Sequence, residues 1–188
     1  MRLKANKMKY KELNLNEVEL WNKVNKLYEI SFPEGERAPL DYFKDLILHH
    51  PDNEKLFVYF DDEDNFIGFS FLHVREYGTY ISFFAVEVDE RRKHHGTEII
   101  KFLIEKFKPG YVCLDIEYPD PSDPSTYEER MKRLKFYEFA GLKRKDIFYS
   151  YGGYRFQCLS NKDDITYDEH RSFFNEYVLS TIYKYEKS

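Results

Sequence analysis

The sequence predicts an α/β (α+β) fold in which helices flank about seven strands, most of them antiparallel. Three observations carry that prediction. Residues 55–60 and 66–75 are β-rich runs joined across the acidic turn DDEDN. Residues 143–151 and 154–160 are joined in the same way through Gly152-Gly153. Between these hairpins the apolar residues pass from strand alternation to helical three-four spacing and back. At 188 residues the chain is most simply one domain, 1–188, with a core over 2–160 and a helical extension over 161–188.

Residues 2–11 read as the first strand, where Lys7, Lys9 and Lys11 alternate with Met8 and Tyr10. Lysines along one face suit a sheet edge guarded against further pairing. Asn16 is expected to cap a helix reaching about Ile30, with Val18, Trp21, Val24, Leu27 and Tyr28 on one face. Pro39 or Asp41 starts a second helix that ends at His49. After the first hairpin, Tyr77-Gly78 turns into TYISFFAVEV, whose two faces are both apolar: Ile81, Phe83 and Ala85 against Phe84, Val86 and Val88. Such a strand is central and covered on both sides. Past a basic loop, Ile99, Ile100, Leu103, Ile104 and Phe107 mark a helix that Pro109-Gly110 closes. YVCLDIEY, 111–118, is another strand. The loop PDPSDPST leads to a helix from about Tyr127 to Ala140, with Gly141 as its C-terminal cap. After the closing hairpin, 168 to about 185 is amphipathic and reads as helix, and no internal repeat interrupts this order.

Composition excludes several functions. Hydrophobic residues at 42% and aromatics at 19% exceed what a disordered chain carries. A net charge of −5 with no basic stripe argues against a general nucleic-acid binder. No apolar run approaches the length of a membrane span and the N-terminus lacks an apolar leader, so a soluble cytoplasmic protein is expected. Cys113 and Cys158 lie in apolar strand-like segments and read as buried free thiols. His49-His50, His73, His94-His95 and His170 show neither i, i+4 spacing nor mixed Cys/His clusters, so no metal is expected.

The chemistry concentrates in two segments. In AVEVDERRKHHGTEII, Ala85 to Ile100, a buried strand ends in a cationic loop and a helix begins at once. The first N–H groups of a helix have no intrahelical partner and carry partial positive charge, so this is an anion cradle. Arg91, Arg92 and Lys93 add charge, and Gly96 permits close approach. The segment resembles motif A of the GNAT acyl-CoA N-acyltransferase superfamily, with Arg91 at the first motif position and Gly96 at the second glycine. His94 stands at the first glycine and Val88 where the family often has proline. The second segment, MKRLKFYEFAGLKRK from Met131, resembles motif B: Phe136, Tyr137, Glu138 and Gly141 match, and Leu142 replaces the usual aromatic.

This resemblance covers roughly residues 2–160 and implies a mixed, mainly antiparallel twisted sheet with acetyl-CoA as co-substrate. It assigns the coenzyme to the backbone of Phe84, Ala85, Val86 and Val88 and to the loop Arg91, Arg92, Lys93, His94, His95, Gly96 and Thr97. His94 is expected to avoid the left-handed region that glycine adopts freely, and His94 and His95 either donate to phosphate or project into solvent. The resemblance also implies that Tyr137 protonates the departing thiolate, a role its ordinary pKa of about 10 allows at neutral pH. Many relatives carry a Glu near the position of Ser82. Here Glu117 is the first candidate for general base, with Asp115 on the same face by alternation and Glu87 turned the other way. Either acid can equally be a solvated strand end.

The function expected is acetyl transfer from acetyl-CoA to an amine of a small molecule or protein by direct attack on the thioester. The alternative is a non-catalytic acyl-CoA-binding regulatory module: the missing acid at Ser82 favours it, while Tyr137 and Glu117 favour the enzyme. Tyr42, Tyr127, Tyr149 and Tyr154 either line the acceptor pocket or fill the core. The closing hairpin and terminal helix offer surface for a homodimer.

Overall fold

The computed structural model describes residues 8–174 and 184–186. Its elements run β1 (Lys9–Glu12), α1 (Val18–Ser31), α2 (Leu40–His49), β2 (Glu54–Phe60), β3 (Phe66–Val74), β4 (Gly78–Val86) and α3 (His95–Lys106). They continue as β5 (Tyr111–Glu117), α4 (Pro124–Ala140), β6 (Lys143–Tyr151), β7 (Tyr154–Ser160), α5 (Tyr167–Arg171) and β8 (Lys184–Tyr185). Hydrogen-bonded neighbours follow the order β1-β2-β3-β4-β5-β7-β6-β8. β4 and β5 run parallel, while β1-β2, β2-β3, β5-β7, β7-β6 and β6-β8 are antiparallel. The mixed, mainly antiparallel sheet is therefore the one the sequence predicts, with the two-residue β8 as an addition.

Two compact units divide the described residues: 8–74 with 82–99, and 75–81 with 100–174 and 184–186. In the first, Trp21, Val24, Leu27 and Tyr28 of α1 are buried as their spacing predicts, but Val18, in the first turn, is 66% exposed. Asn16 does not cap α1. The N-cap is Glu17, whose carboxylate turns back to accept from the Asn14 N–H at 3.0 Å and to pair with Lys11. Helix α2 begins after Pro39, which needs no N–H at a helix start. Its Phe43 meets Phe71 at 4.5 Å and Phe83 at 5.4 Å between ring centres, joining α2 to the sheet residues of this unit.

In the second unit, β4 supplies the pairs Gly78–Tyr111 through Ile81–Leu114, and β5 pairs on its other side with β7. Tyr80, Tyr111, Cys113, Ile147, Cys158, Ile165 and Phe173 form the core there. Both cysteines are buried free thiols, as expected. Helix α4 starts at Pro124, three residues before the expected Tyr127, because proline fits the first helical position and Asp123 accepts from the hydroxyls of Ser125 and Thr126. It ends at Gly141, φ +110°, where the Leu142 N–H returns to the Tyr137 carbonyl at 3.0 Å.

The expected terminal helix needs correction. Among the described residues of this segment only Tyr167–Arg171 is helical, opened by a reciprocal cap between Thr166 and Glu169, and 175–183 lie outside the described residues. Lys184 and Tyr185 are strand, paired with Ser150 and Tyr149. Tyr185 packs on Tyr149 and Tyr167, an aromatic setting that suits a pleated strand.

Candidate functional site

The cradle lies in the first unit. β4 ends at Val86, the Glu87 N–H closes onto the Ile67 carbonyl at 2.9 Å, and a single 3-10 turn at Val88–Glu90 leads to Arg91. Arg91 folds back so that its Nε donates to the Val86 carbonyl at 3.1 Å, bracing the loop against the strand it leaves. Lys93 pairs with Glu90 at 2.9 Å, so part of the expected positive charge is already neutralised. α3 then begins at His95, and the Glu98 N–H is bonded to the His94 carbonyl at 3.1 Å as the helix's opening bond. The N–H groups of His95, Gly96 and Thr97 precede that bond, as the first turn of a helix requires.

Two loop residues differ from expectation. His94 takes φ +68° and Arg92 φ +67°, so the position of the family's first glycine keeps a glycine's backbone although its residue is histidine. Histidine is among the non-glycine residues that tolerate this region best. His95 projects neither to solvent nor outward to an anion: it is 4% exposed, with Nε2 at 3.2 Å from Glu90 and Nδ1 buried without a hydrogen bond. Its backbone alone faces the cradle's chemistry. Arg91, Arg92, Lys93, His94 and Val88 are exposed, Gly96 is half-buried and Thr97 buried.

Gly68 is a position that sequence reasoning passed over. A Cβ there would stand 2.4 Å from the Ala85 carbonyl oxygen and 3.2 Å from the Val86 Cα. Glycine inside a strand signals close backbone approach, and here the approaching backbone is the Ala85–Val86 segment expected to serve the coenzyme. Ser82, where an acid was expected in the family pattern, donates to the Phe71 carbonyl at 3.3 Å. The aromatics of α1, α2, β3 and β4, among them Trp21, Tyr28, Phe43, Phe71 and Phe83, leave a free volume of about 10 Å³. That is room for one water, so these rings fill core.

The remaining expected residues lie in the second unit. Tyr137 is buried on α4, beside Phe136 at 4.8 Å, and burial pushes its phenol up to about 12 against the opposing pull of Arg133. Glu117 ends β5 between two guanidinium groups. Arg130 reaches its Oε2 from Nη2 at 2.6 Å and from Nε at 2.8 Å, and Arg133 lies 3.4 Å from Oε1. Both carboxylate oxygens are thus taken up by guanidinium groups of α4, which makes Glu117 the anchor of that helix.

Asp115 is no solvated strand end either. Its carboxylate accepts from Tyr80 at 2.8 Å, Tyr149 at 2.9 Å and His170 Nε2 at 2.9 Å. Burial alone would lower the His170 pKa, but Asp115 outweighs it and the imidazole stands at about 10. Of the four tyrosines in question, Tyr149 is thus core, while Tyr42 and Tyr154 are 40% and 46% exposed.

The basic loop and the helix start it feeds fall within the span of a known family. Residues 21–111 match the model of the Acetyltransferase (GNAT) family, a span that contains the whole cradle. Over that span the chain is similar to GNAT acetyltransferases. Among solved structures, a chain from Bacteroides thetaiotaomicron assigned to the GNAT family aligns at TM-score 0.73 and 19% identity, covering 92% of this chain and 97% of that one. A Bacillus subtilis acetyltransferase in complex with CoA aligns at 0.57 and 14%, covering 82% and 97%. Spermidine N-acetyltransferase from Vibrio cholerae, in complex with CoA and spermine, aligns at 0.59 and 14%, covering 81% and 94%. At these identities the likeness is one of fold. No curated protein matches the chain in sequence.

Proposed function

We propose that this chain is a GNAT-type enzyme that transfers an acetyl group from acetyl-CoA to an amine by direct attack on the thioester. The observation that carries the reading is the start of α3: unpartnered N–H groups behind a loop whose backbone is left-handed at Arg92 and His94. Successive N–H groups in such a turn converge on an anion, and a coenzyme's pyrophosphate is one. Gly96 offers no side chain to keep it away, and exposed Arg91 and Arg92 supply charge. Bound acetyl-CoA supplies the activated acyl group. The chain's own residues must hold it, stabilise an oxyanion and return a proton to sulfur.

In this reading a backbone N–H near Val86 stabilises the oxyanion, a class of contribution worth about 2.7–4 kcal/mol per donor in other enzymes. Tyr137 remains a neutral phenol far above neutral pH, so it is a proton donor and never a competing base. The acceptor amine has to arrive unprotonated, since Glu117 is committed to Arg130 and Arg133. The spermidine enzymes of like fold make polyamines sensible first acceptors to assay, beside peptide amines. The regulatory-module reading is favoured by one pair of facts: Ser82 carries no acid, and Glu117 is salt-bridged. Release of free thiol from acetyl-CoA across a panel of amines tests between the two. Turnover on any amine supports the enzyme; tight coenzyme binding without turnover supports the module.

A further inference from the structure

Acyl transfer leaves a buried chemical cluster in the second unit unused. Asp115 on β5 and Cys158 on β7 are direct partners in the antiparallel ladder, and Cys113 precedes Asp115 by two residues, so all three side chains share one face. His170 of α5 closes over that face, with Nε2 at 2.9 and 3.1 Å from the two Asp115 oxygens. Donor atoms of Asp115, Cys158 and His170 all lie within 4.8 Å of one another. His170 and both cysteines are 0% exposed.

The surroundings make this a built site. The Tyr185 hydroxyl holds His170 Nδ1 at 3.1 Å, leaving Nε2 pointed at the cluster. The Tyr80 and Tyr149 hydroxyls both donate to Asp115 Oδ2. Metal-binding imidazoles and carboxylates are commonly oriented in this way, through hydrogen bonds made by atoms outside the cluster. Donors around a tetrahedral ion with bonds of about 2.0–2.3 Å stand about 3.3–3.7 Å apart. The Nε2–Oδ separations therefore need to widen by only a few tenths of an ångström.

We infer that Asp115, Cys158 and His170 bind one zinc-type divalent ion. Thiolate, imidazole and carboxylate together select a borderline ion over magnesium or calcium. Burial of the ligand side chains closes the site to substrate, so the ion is structural: it ties α5 to the β5–β7 ladder. Protons now shared in the His170–Asp115 pair and carried by the Cys158 thiol leave to solvent as the ion enters. The inference stands apart from acyl transfer, since neither Tyr137 nor the cradle takes part. Sequence spacing could not show it, because 115, 158 and 170 come from three separate elements.

The test uses the whole chain, stripped by chelator after tag removal and titrated with zinc or cobalt(II). One equivalent should bind with release of protons. Cobalt should give thiolate-to-metal charge-transfer absorption and the strong visible bands of a four-coordinate ion, and zinc should raise Tm. Cys158→Ser should lose the affinity and most of the charge-transfer band. Tyr185→Phe, which removes the hydroxyl at the far nitrogen of His170 and keeps the ring, should weaken affinity on the order of 10- to 100-fold while the protein stays folded by circular dichroism. Wild-type protein that takes up no stoichiometric zinc, keeps cobalt six-coordinate and shows no Tm change would overturn the inference. So would Cys158→Ser and His170→Gln variants that bind as the wild type does.

Discussion

His94 holds φ at +68° where a glycine would do so without a Cβ clash, and this residue separates backbone strain from coenzyme chemistry. Left-handed backbone costs an L-residue roughly 1–2 kcal/mol, least for Asn, Asp and His and most for β-branched residues. In urea denaturation, His94→Val should therefore be less stable than His94→Gly by about 1–2 kcal/mol, and His94→Gly should bind coenzyme A at least as well as the wild type. Equal stabilities would mean that the loop does not hold this conformation.

Tyr137 carries the proton-transfer claim. Tyr137→Phe should lower turnover while leaving acetyl-CoA affinity nearly unchanged, as for an interaction used in the transition state. Its folded pKa, raised by burial to about 12, also has a stability consequence. The stabilisation it gives is complete below the unfolded value of about 10 and is lost as pH rises through about 12. Denaturation followed from pH 8 upward should show a smaller alkaline loss in Tyr137→Phe than in the wild type.

At the scale of elements, Gly68 and Gly141 make opposite predictions from the same substitution. A Cβ at Gly68 meets the Ala85 carbonyl at 2.4 Å, so Gly68→Ala must displace β4 backbone. Such overpacking costs about 1–3 kcal/mol and should also weaken coenzyme binding through the Ala85–Val86 segment. Gly141 has room, its nearest side-chain atom being Ile104 Cδ1 at 3.5 Å, so Gly141→Ala should cost only the backbone term, about 1 kcal/mol, with affinity unchanged. Urea denaturation and calorimetry on both variants check the contrast.

Elements were legible where a local signal sufficed. Gly152-Gly153, Pro109-Gly110 and Gly141 punctuate the chain through their own backbone preferences, and the boundaries of β6, β7 and α4's end fall where those residues put them. Long-range pairing is what the sequence hid. Nothing near Glu117 announces Arg130, thirteen residues away, and nothing near Asp115 announces His170 or Tyr80. Lys184–Tyr185 reads as the end of an amphipathic helix until β6 supplies its hydrogen bonds. His95 reads from the sequence as a loop residue that donates to phosphate or projects into solvent, but α3 begins at this residue and its ring is turned inward.

At the scale of the whole molecule, the proposed acyltransferase relies on a held coenzyme and an acceptor that arrives neutral. The kcat/KM for the amine should therefore rise with pH along the acceptor's own ionisation, and Glu117→Gln should leave that profile's shape unchanged while lowering stability through loss of the Arg130 pair. The most direct test is calorimetric titration of coenzyme A into the wild type, Arg91→Ala and Gly96→Leu. The cradle predicts binding by the wild type and clearly weaker binding by both variants, since one loses charge and the Val86 brace and the other fills the helix start. Equal affinity in all three proteins, or none in the wild type, would contradict it.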